Sequence, residues 1–278
     1  MCNVSVRHDT YLADQISRRA SPQRPLLCSA LIVPDPRRTA IGTADTNTAI
    51  LFFSRRPEQE GLNKRFVRQD YAKNRQVAEA FYDHARQAVA ESGLPVVEVN
   101  DTQQRGPDFG TRLANAFADA FAAGYDRVIA VGNDCPTLHE VDWAGVVAQL
   151  AAGRPVLGPT SDREGTYLIG LTRAQFNRKA FAALPWRSPE LAPALRAHLE
   201  AVVGERPVQL TPRADVNGHG ELMGLLRGAS AAPALVECLR RVLGDAFRTH
   251  HADQRGATRP VLKRRSRAPP LSRRSSHT

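Results

Sequence analysis

The chain has 278 residues, 42% of them hydrophobic, which suits one α/β domain of ordinary size or two small ones. No run approaches about 18 apolar residues, so the sequence offers no membrane-spanning helix, and nothing behind the N-terminal charges has the form of a secretory signal. The net charge of +10 is mostly terminal: nine Lys/Arg face two Asp/Glu from 245 onward and six face four over 1–48, leaving +1 for 49–244. A nearly neutral folded part argues against nucleic acid as its partner. The basic tail, with Lys263-Arg264-Arg265-Ser266-Arg267, reads as a solvated, disordered end. The four cysteines, Cys2, Cys28, Cys135 and Cys238, form no CxxC element, which argues against a zinc knuckle or a disulfide framework and for a reducing cytoplasm.

Residues 1–47 mix Arg, Pro, Ser and Asp with little periodicity and read as a loosely ordered extension. Order is expected over 48–244, and 245–278 is the basic tail. The apolar run Thr48-Ala49-Ile50-Leu51-Phe52-Phe53-Ser54 suits a strand buried on both faces of a parallel sheet. Val77, Phe81, Ala85 and Ala88 recur at helical spacing over 72–92, with Gly93 as the stop. Pro95 to Val99 is a second strand. Phe109, Leu113, Phe117 and Phe121 mark a second helix ended by Gly124, and Asp126 to Gly132 is a third strand. A helix at about 140–152 closes at Gly153. Strands follow at Pro155 to Gly158 and Thr166 to Leu171, helices at about 173–182 and 189–203, a strand near Val208-Gln209-Leu210 and a helix at about 232–243. Strands alternating with helices predict an α/β fold with three layers, helices on both faces of a mostly parallel, mixed sheet. Ligands of such sheets sit beyond the carboxyl ends of the strands.

Three strand ends carry candidate chemistry. Asp134, in Gly132-Asn133-Asp134-Cys135-Pro136, follows a strand of Val, Ile and Ala. A carboxylate there can share Mg²⁺ or Mn²⁺ with substrate phosphates, or it can cap the helix expected near Glu140. Asp215 and Asn217, in Ala214-Asp215-Val216-Asn217, could supply further oxygen ligands or form an Asx turn before Gly218. The connection Gly158-Pro159-Thr160-Ser161-Asp162-Arg163-Glu164-Gly165 has glycines that admit close approach of a ligand, or is a surface turn. A basic loop after the first strand, Arg55-Arg56-Pro57 and Gly61-Leu62-Asn63-Lys64-Arg65, could meet phosphate oxygens or stay solvated. Cys135 reads as a small buried residue. Neither GxxxxGK[ST] nor GxGxxG is present, which removes the P-loop and Rossmann readings.

Taken in order, seven segments resemble the bacterial domain of unknown function 2064 family, a glycosyltransferase-like group with the GT-A nucleotide-diphospho-sugar transferase fold. They are Ala49 to Arg55, Phe109 to Phe117, Gly132 to Leu138, Val156 to Pro159, Tyr167 to Leu171, Leu184 to Ser188 and Ala214 to Asn217. The resemblance implies that Asp134 is the metal-binding Asp of a G-x-D-C-P motif and that Asp215 is the Asp of a D-V-D segment. Trp186 matches a P-W element, expected at a wall of the acceptor side. The chain departs from the family where G-x-x-K-T-R-L becomes Gly61-Leu62-Asn63-Lys64-Arg65-Phe66. It also departs where D-G-G-Y-Y becomes Asp162 to Tyr167, one residue longer, and where Asn217 replaces an acid.

The implied function is a metal-dependent transferase with a nucleotide-activated donor and a small-molecule acceptor, most simply a glycosyltransferase using a nucleotide sugar. Asp134 carries the cation with Asp215 or Asn217, Lys64 and Arg65 meet the diphosphate, and Gly158, Pro159 and Gly165 line the substrate. Glu164 is the candidate base. A nucleotidyltransferase of the same fold, using a nucleoside triphosphate and releasing pyrophosphate, is the nearest alternative. That class usually opens with a Gly-rich loop this chain lacks. A non-catalytic nucleotide-binding or regulatory protein is the alternative from another class.

Overall fold

The computed structural model describes residues 47–162, 164–228 and 231–244. The expected N-terminal extension and basic tail lie outside the described residues. Six strands form one sheet: β1 (Thr48–Phe53), β2 (Val96–Val99), β3 (Arg127–Val131), β4 (Val156–Pro159), β5 (Thr166–Thr172) and β6 (Val208–Gln209), in the order β2-β1-β3-β5-β4-β6. β1 pairs in parallel with β2 and β3, and β4 with β6, while β5 runs antiparallel between β3 and β4. One reversed strand among six is the mixed, mostly parallel sheet that the sequence predicts.

Eight helices flank it among the described residues: α1 (Pro57–Asn63), α2 (Tyr71–Ala90), α3 (Phe109–Ala122), α4 (Trp143–Ala151), α5 (Arg178–Ala182), α6 (Leu191–Val203), α7 (His219–Arg227) and α8 (Pro233–Leu243). Successive side chains of a strand point to opposite faces. Ile50 and Phe52 therefore join α2 and α4 in one core, while Leu51 and Phe53 join α3, α5 and α6 in the other. A third apolar cluster binds α2 to α7 and α8 through Val77, Phe81, Leu222 and Leu239. Asp70, Asp108 and Asp142 cap α2, α3 and α4, accepting from Lys73, Thr111 and Gly145 backbone N–H groups. Gly93, Gly124 and Gly153, expected as helix stops, all have positive φ.

Two helices depart from the reading of the sequence. The segment after β1 is helix α1 where a basic loop was expected. Pro57 at its first position and Glu58 and Glu60 in its first turn favour that start. Gly61 inside it lets α1 rest on α2, since a Cβ there would meet the Arg75 Cα at 2.8 Å. α7 is the other addition. The helix expected at about 140–152 resolves into a 3₁₀ turn, Leu138–Glu140, followed by α4. Asp142, and not Asp134, caps α4.

Cys135 is a buried free thiol whose pKa burial pushes up to about 11, as expected of a packing residue. Cys238 on α8 is disulfide-bonded, so the cysteines do not by themselves specify a reducing compartment. Among the described residues no helix is long and apolar enough to cross a membrane.

Candidate functional site

At the carboxyl ends of β1 and β3 the sheet opens into a cleft of about 540 Å³. β3 carries the chain up to Asp134 at its rim. β4 guides the later segment past the same place: Leu210 N donates to the Leu157 carbonyl, Arg213 N to Pro159 and Ser161 N to Arg213. That segment ends against Asp134 itself, where the Val216 amide donates to the Asp134 carbonyl at 3.0 Å. Asp134 and Asp215, 81 positions apart in sequence, thus stand on directly bonded backbones and both line the cleft.

Lys64 ties this corner together. Its Nζ lies 2.5 Å from Asp134 Oδ1, 3.2 Å from Glu60 Oε1 and 3.1 Å from the Val216 carbonyl. Arg55 holds the other oxygen of Glu60 at 3.1 Å. Burial alone would lower the Lys64 pKa, but Asp134 and Glu60 beside it outweigh that and raise it, so the ammonium stays charged. Asp134 keeps 30% of its side chain open to the cleft. Burial pushes its carboxyl up to about 6, Lys64 opposing and Asp215 reinforcing. Asp215 is shifted upward as well, again through burial. The Asn217 side-chain amide donates to the Asp215 carboxylate at 2.5 Å, a bond between side chains and not the backbone Asx turn that the sequence also allows, and it leaves the Asn217 oxygen for another partner.

This donor set suits a cation of one kind. No group of three or more His, Cys, Asp or Glu among the described residues could hold a metal ion, so a closed zinc-type cage is not formed. Two carboxylates and an amide oxygen at the mouth of a cleft do fit Mg²⁺ or Mn²⁺. Such ions bind through one or two carboxylates and complete their shell with water and phosphate oxygens.

The remaining predicted residues divide. Gly165 lines the cleft and donates its amide to Thr160 Oγ1 at 2.9 Å. Gly158 does not line it. Its missing Cβ makes room for the Tyr167 ring, which a Cβ would meet at 2.5 Å. Pro159 lines a separate cavity of about 290 Å³ behind β4. Arg65 is exposed and outside the cleft wall, so only Lys64 of the pair reaches the site. Glu164 is exposed and also outside the wall, which leaves no geometric support for it as a base.

Residues 67–188 match the family described as "Uncharacterized protein conserved in bacteria (DUF2064)". The matched stretch is less than half of the chain. It contains Asp134, the loop at Gly165 and Trp186, while Lys64, Asp215 and Asn217 reach the cleft from outside it. Among solved structures, one described as "putative nucleotide-diphospho-sugar transferase from Desulfovibrio desulfuricans G20" aligns with TM-score 0.61 at 22% identity. It covers 74% of this chain and 98% of its own. That likeness shows that the two proteins share a fold. Rv0371c from Mycobacterium tuberculosis H37Rv aligns with TM-score 0.36 at 18% identity, over 67% of this chain and 100% of its own. A CMP:2-keto-3-deoxy-manno-octonic acid synthetase complexed with CTP aligns with TM-score 0.32 at 13%, over 64% and 96%. No curated protein matches the chain.

The structure adds residues that the sequence reading passed over. Ser54, Gln104, Arg112 and Arg187 all line the cleft. Trp186, expected at a wall of it, packs its ring 5.6 Å from that of Phe109 at the start of α3. The Trp186 Nε1–H donates to the Phe181 carbonyl at 2.8 Å. One signal was available: Phe109, Arg112 and Leu113 have the i, i+3, i+4 spacing of a single helix face.

Proposed function

We propose that the protein is a metal-dependent transferase using a nucleotide-activated donor, and that it transfers a glycosyl group from a nucleotide sugar to a small-molecule acceptor. The observation that carries this reading is the meeting of Asp134 and Asp215 at the head of the cleft, across the hydrogen bond from Val216 to Asp134. With all groups charged, Glu60, Asp134 and Asp215 exceed Lys64 and Arg55 by one negative charge. A diphosphate approaching that corner alone is repelled, and it is attracted once a divalent cation shares the carboxylates.

Asp134 and Asp215, with the Asn217 oxygen, would hold Mg²⁺ or Mn²⁺. When bound, the ion neutralises charge that develops on the leaving diphosphate. Lys64 holds Asp134 in one orientation and is within reach of the same oxygens, so its ammonium can stay near the diphosphate. Arg55, anchored by Glu60 at 3.1 Å, adds a second fixed cation. Glycosyl transfer is favoured over nucleotidyl transfer because β1 runs through Ser54-Arg55-Arg56 straight into α1, without a Gly-rich phosphate loop.

A thermal-shift screen of nucleotides and nucleotide sugars with and without Mn²⁺ tests the reading. Binding at about 100 Kd stabilises the native state by about 2.7 kcal/mol. The expected result is a Mn²⁺-dependent shift in the parent that Asp134→Ala abolishes, with a nucleoside diphosphate released from a nucleotide sugar. Pyrophosphate released from a triphosphate would move the assignment to nucleotidyl transfer. An undiminished Mn²⁺–nucleotide shift in Asp134→Ala would remove the metal from Asp134.

A further inference from the structure

The cleft has a second end that the cation reading leaves unused. There the rings of Phe109 and Trp186 lie 5.6 Å apart, and Phe53 meets Phe109 edge-on at 5.8 Å, forming a continuous apolar wall. Two guanidinium groups border it. Arg187 sits 5.8 Å from the Phe109 ring centre, held in a left-handed backbone conformation with φ 65°. Arg112 is one turn on from Phe109 on the same face of α3, and its buried Nε has no hydrogen-bond partner. Among the described residues neither arginine forms an ion pair. Asp108, the acid nearest in sequence to Arg112, is occupied in capping α3 through the Thr111 amide at 2.7 Å and the Thr111 hydroxyl at 2.9 Å.

Ser54 supplies an independent sign. Its residue is only 6% exposed, it lines the cleft at the end of β1, and its Oγ has no partner. Gln104 beside it donates to the Ser54 carbonyl at 2.8 Å and so does not satisfy the hydroxyl. A buried hydroxyl and a buried guanidinium nitrogen, both unpaired and both on one cleft wall, are groups that a ligand would complete.

We infer that the wall formed by Phe109, Trp186, Arg112 and Arg187 is a subsite for a ligand part that carries a carboxylate or phosphate beside a flat apolar face. Guanidinium groups match the paired oxygens of both anions, and an aromatic wall takes the face of a ring. The Ser54 hydroxyl would hydrogen-bond the same ligand. Within the transferase reading, and resting on it, this anion belongs to the acceptor, because Asp134 and Asp215 at the other end would hold the donor's diphosphate.

The test uses the full chain without donor or metal, so that failure of the donor assignment leaves it interpretable. Phenyl phosphate, benzoate and neutral phenol are titrated by calorimetry into the parent, Arg112→Gln, Arg187→Gln and Asp134→Asn. The expected result is that both anions bind, phenol binds roughly tenfold or more weakly, and each arginine change costs roughly tenfold, as loss of a charge-assisted bond should. Asp134→Asn removes a negative charge from the same cleft and so should not weaken the anions, and a tenfold loss there would overturn the subsite by placing them at the cation end. Phenol binding as tightly as the anions, or indifference to Arg187→Gln in a variant that melts like the parent, overturns the subsite. Repeating the titration with saturating uridine diphosphate and Mn²⁺ separates the sources. Retained phenyl phosphate affinity assigns the anion to the acceptor, and mutual exclusion overturns the acceptor assignment in favour of the donor.

Discussion

The two ends of the cleft handle charge in opposite ways. At the Asp134 end the charges interlock: Lys64 meets Asp134 and Glu60, Glu60 also meets Arg55, and only Asp215 has a neutral amide, that of Asn217, in place of an ion pair. At the Trp186 end Arg187 lies against the Phe109 ring and Arg112 has a buried, unbonded Nε, and among the described residues neither forms an ion pair. A buried, compensated cluster is part of the fold and costs stability when one member is removed. Uncompensated guanidinium groups on a rigid apolar wall leave stability little changed when lost, and their cost appears on binding. Mutations at the two ends should therefore separate cleanly between stability and affinity.

Lys64 gives the largest expected effect. Lys64→Met keeps the apolar stem but strands Asp134 and leaves Glu60 with Arg55 alone, so the expected loss is about 3–5 kcal/mol, the range for breaking a buried pair. The pH dependence follows in sign. The Asp134 carboxyl already titrates at about 6, above its ordinary 3.8, so the native state holds its proton more tightly than the unfolded chain does. Without Lys64 that pKa rises further. The loss should be greatest above pH 6 and shrink as pH falls and Asp134 becomes neutral. Urea unfolding of parent and variant at pH 5 and pH 8 measures it. An equal loss at both would show that the ammonium acts through packing alone.

Beneath the acidic end, His84 offers a somewhat smaller effect. Its Nε2 lies 3.0 Å from the Pro136 carbonyl, and its ring is 5.2 Å from that of His139, edge to face. Burial, helped by His139, lowers its pKa from 6.5 to about 4. The unfolded chain takes up this proton first, so the contribution is full above about pH 6.5 and is lost as pH falls toward 4. It amounts to roughly 3 kcal/mol at most. In His84→Gln the acid limb of the stability curve should flatten between pH 6.5 and 4. An unchanged slope there would mean that His84 does not stay neutral in the fold.

The sequence carried most of the fold because the sheet announces itself in apolar runs. β1 is buried along its whole length, and the phenylalanines of α3 recur with helical period. It also located Asp134 and Asp215, since each follows a strand. What it missed has physical reasons. α1 was hidden by the charges that flank it, Arg55, Arg56, Lys64 and Arg65, which resemble a solvated loop until Glu60 is seen pairing with two of them. α7 was hidden by Gly218, Gly220 and Gly224, which are poor helix formers, although Leu222 and Leu226 bury against α8. Arg112 and Arg187 lie 75 positions apart and join one wall only because Trp186 folds back onto α3. No local spacing encodes that.

Gly110 is the position where this return can be broken with the smallest change. A Cβ there would fall 2.2 Å from Trp186 Cδ1 and 2.6 Å from the Ala182 carbonyl oxygen. The indole cannot simply swing aside, because its Nε1–H is bonded to the Phe181 carbonyl at 2.8 Å. Gly110→Ala should therefore cost about 1–3 kcal/mol as an overpacked contact, although alanine is the better helix former. Trp186→Phe removes the fused ring and the indole N–H, so the added methyl should cost less in that background. The carbonyl clash keeps the relief partial. Mn²⁺–nucleotide binding at the Asp134 end should be untouched, while anion binding at the α3 end should weaken. Identical urea midpoints for parent and Gly110→Ala would show that α3 and Trp186 are not in close contact, and the comparison between the two ends would lose its geometric basis.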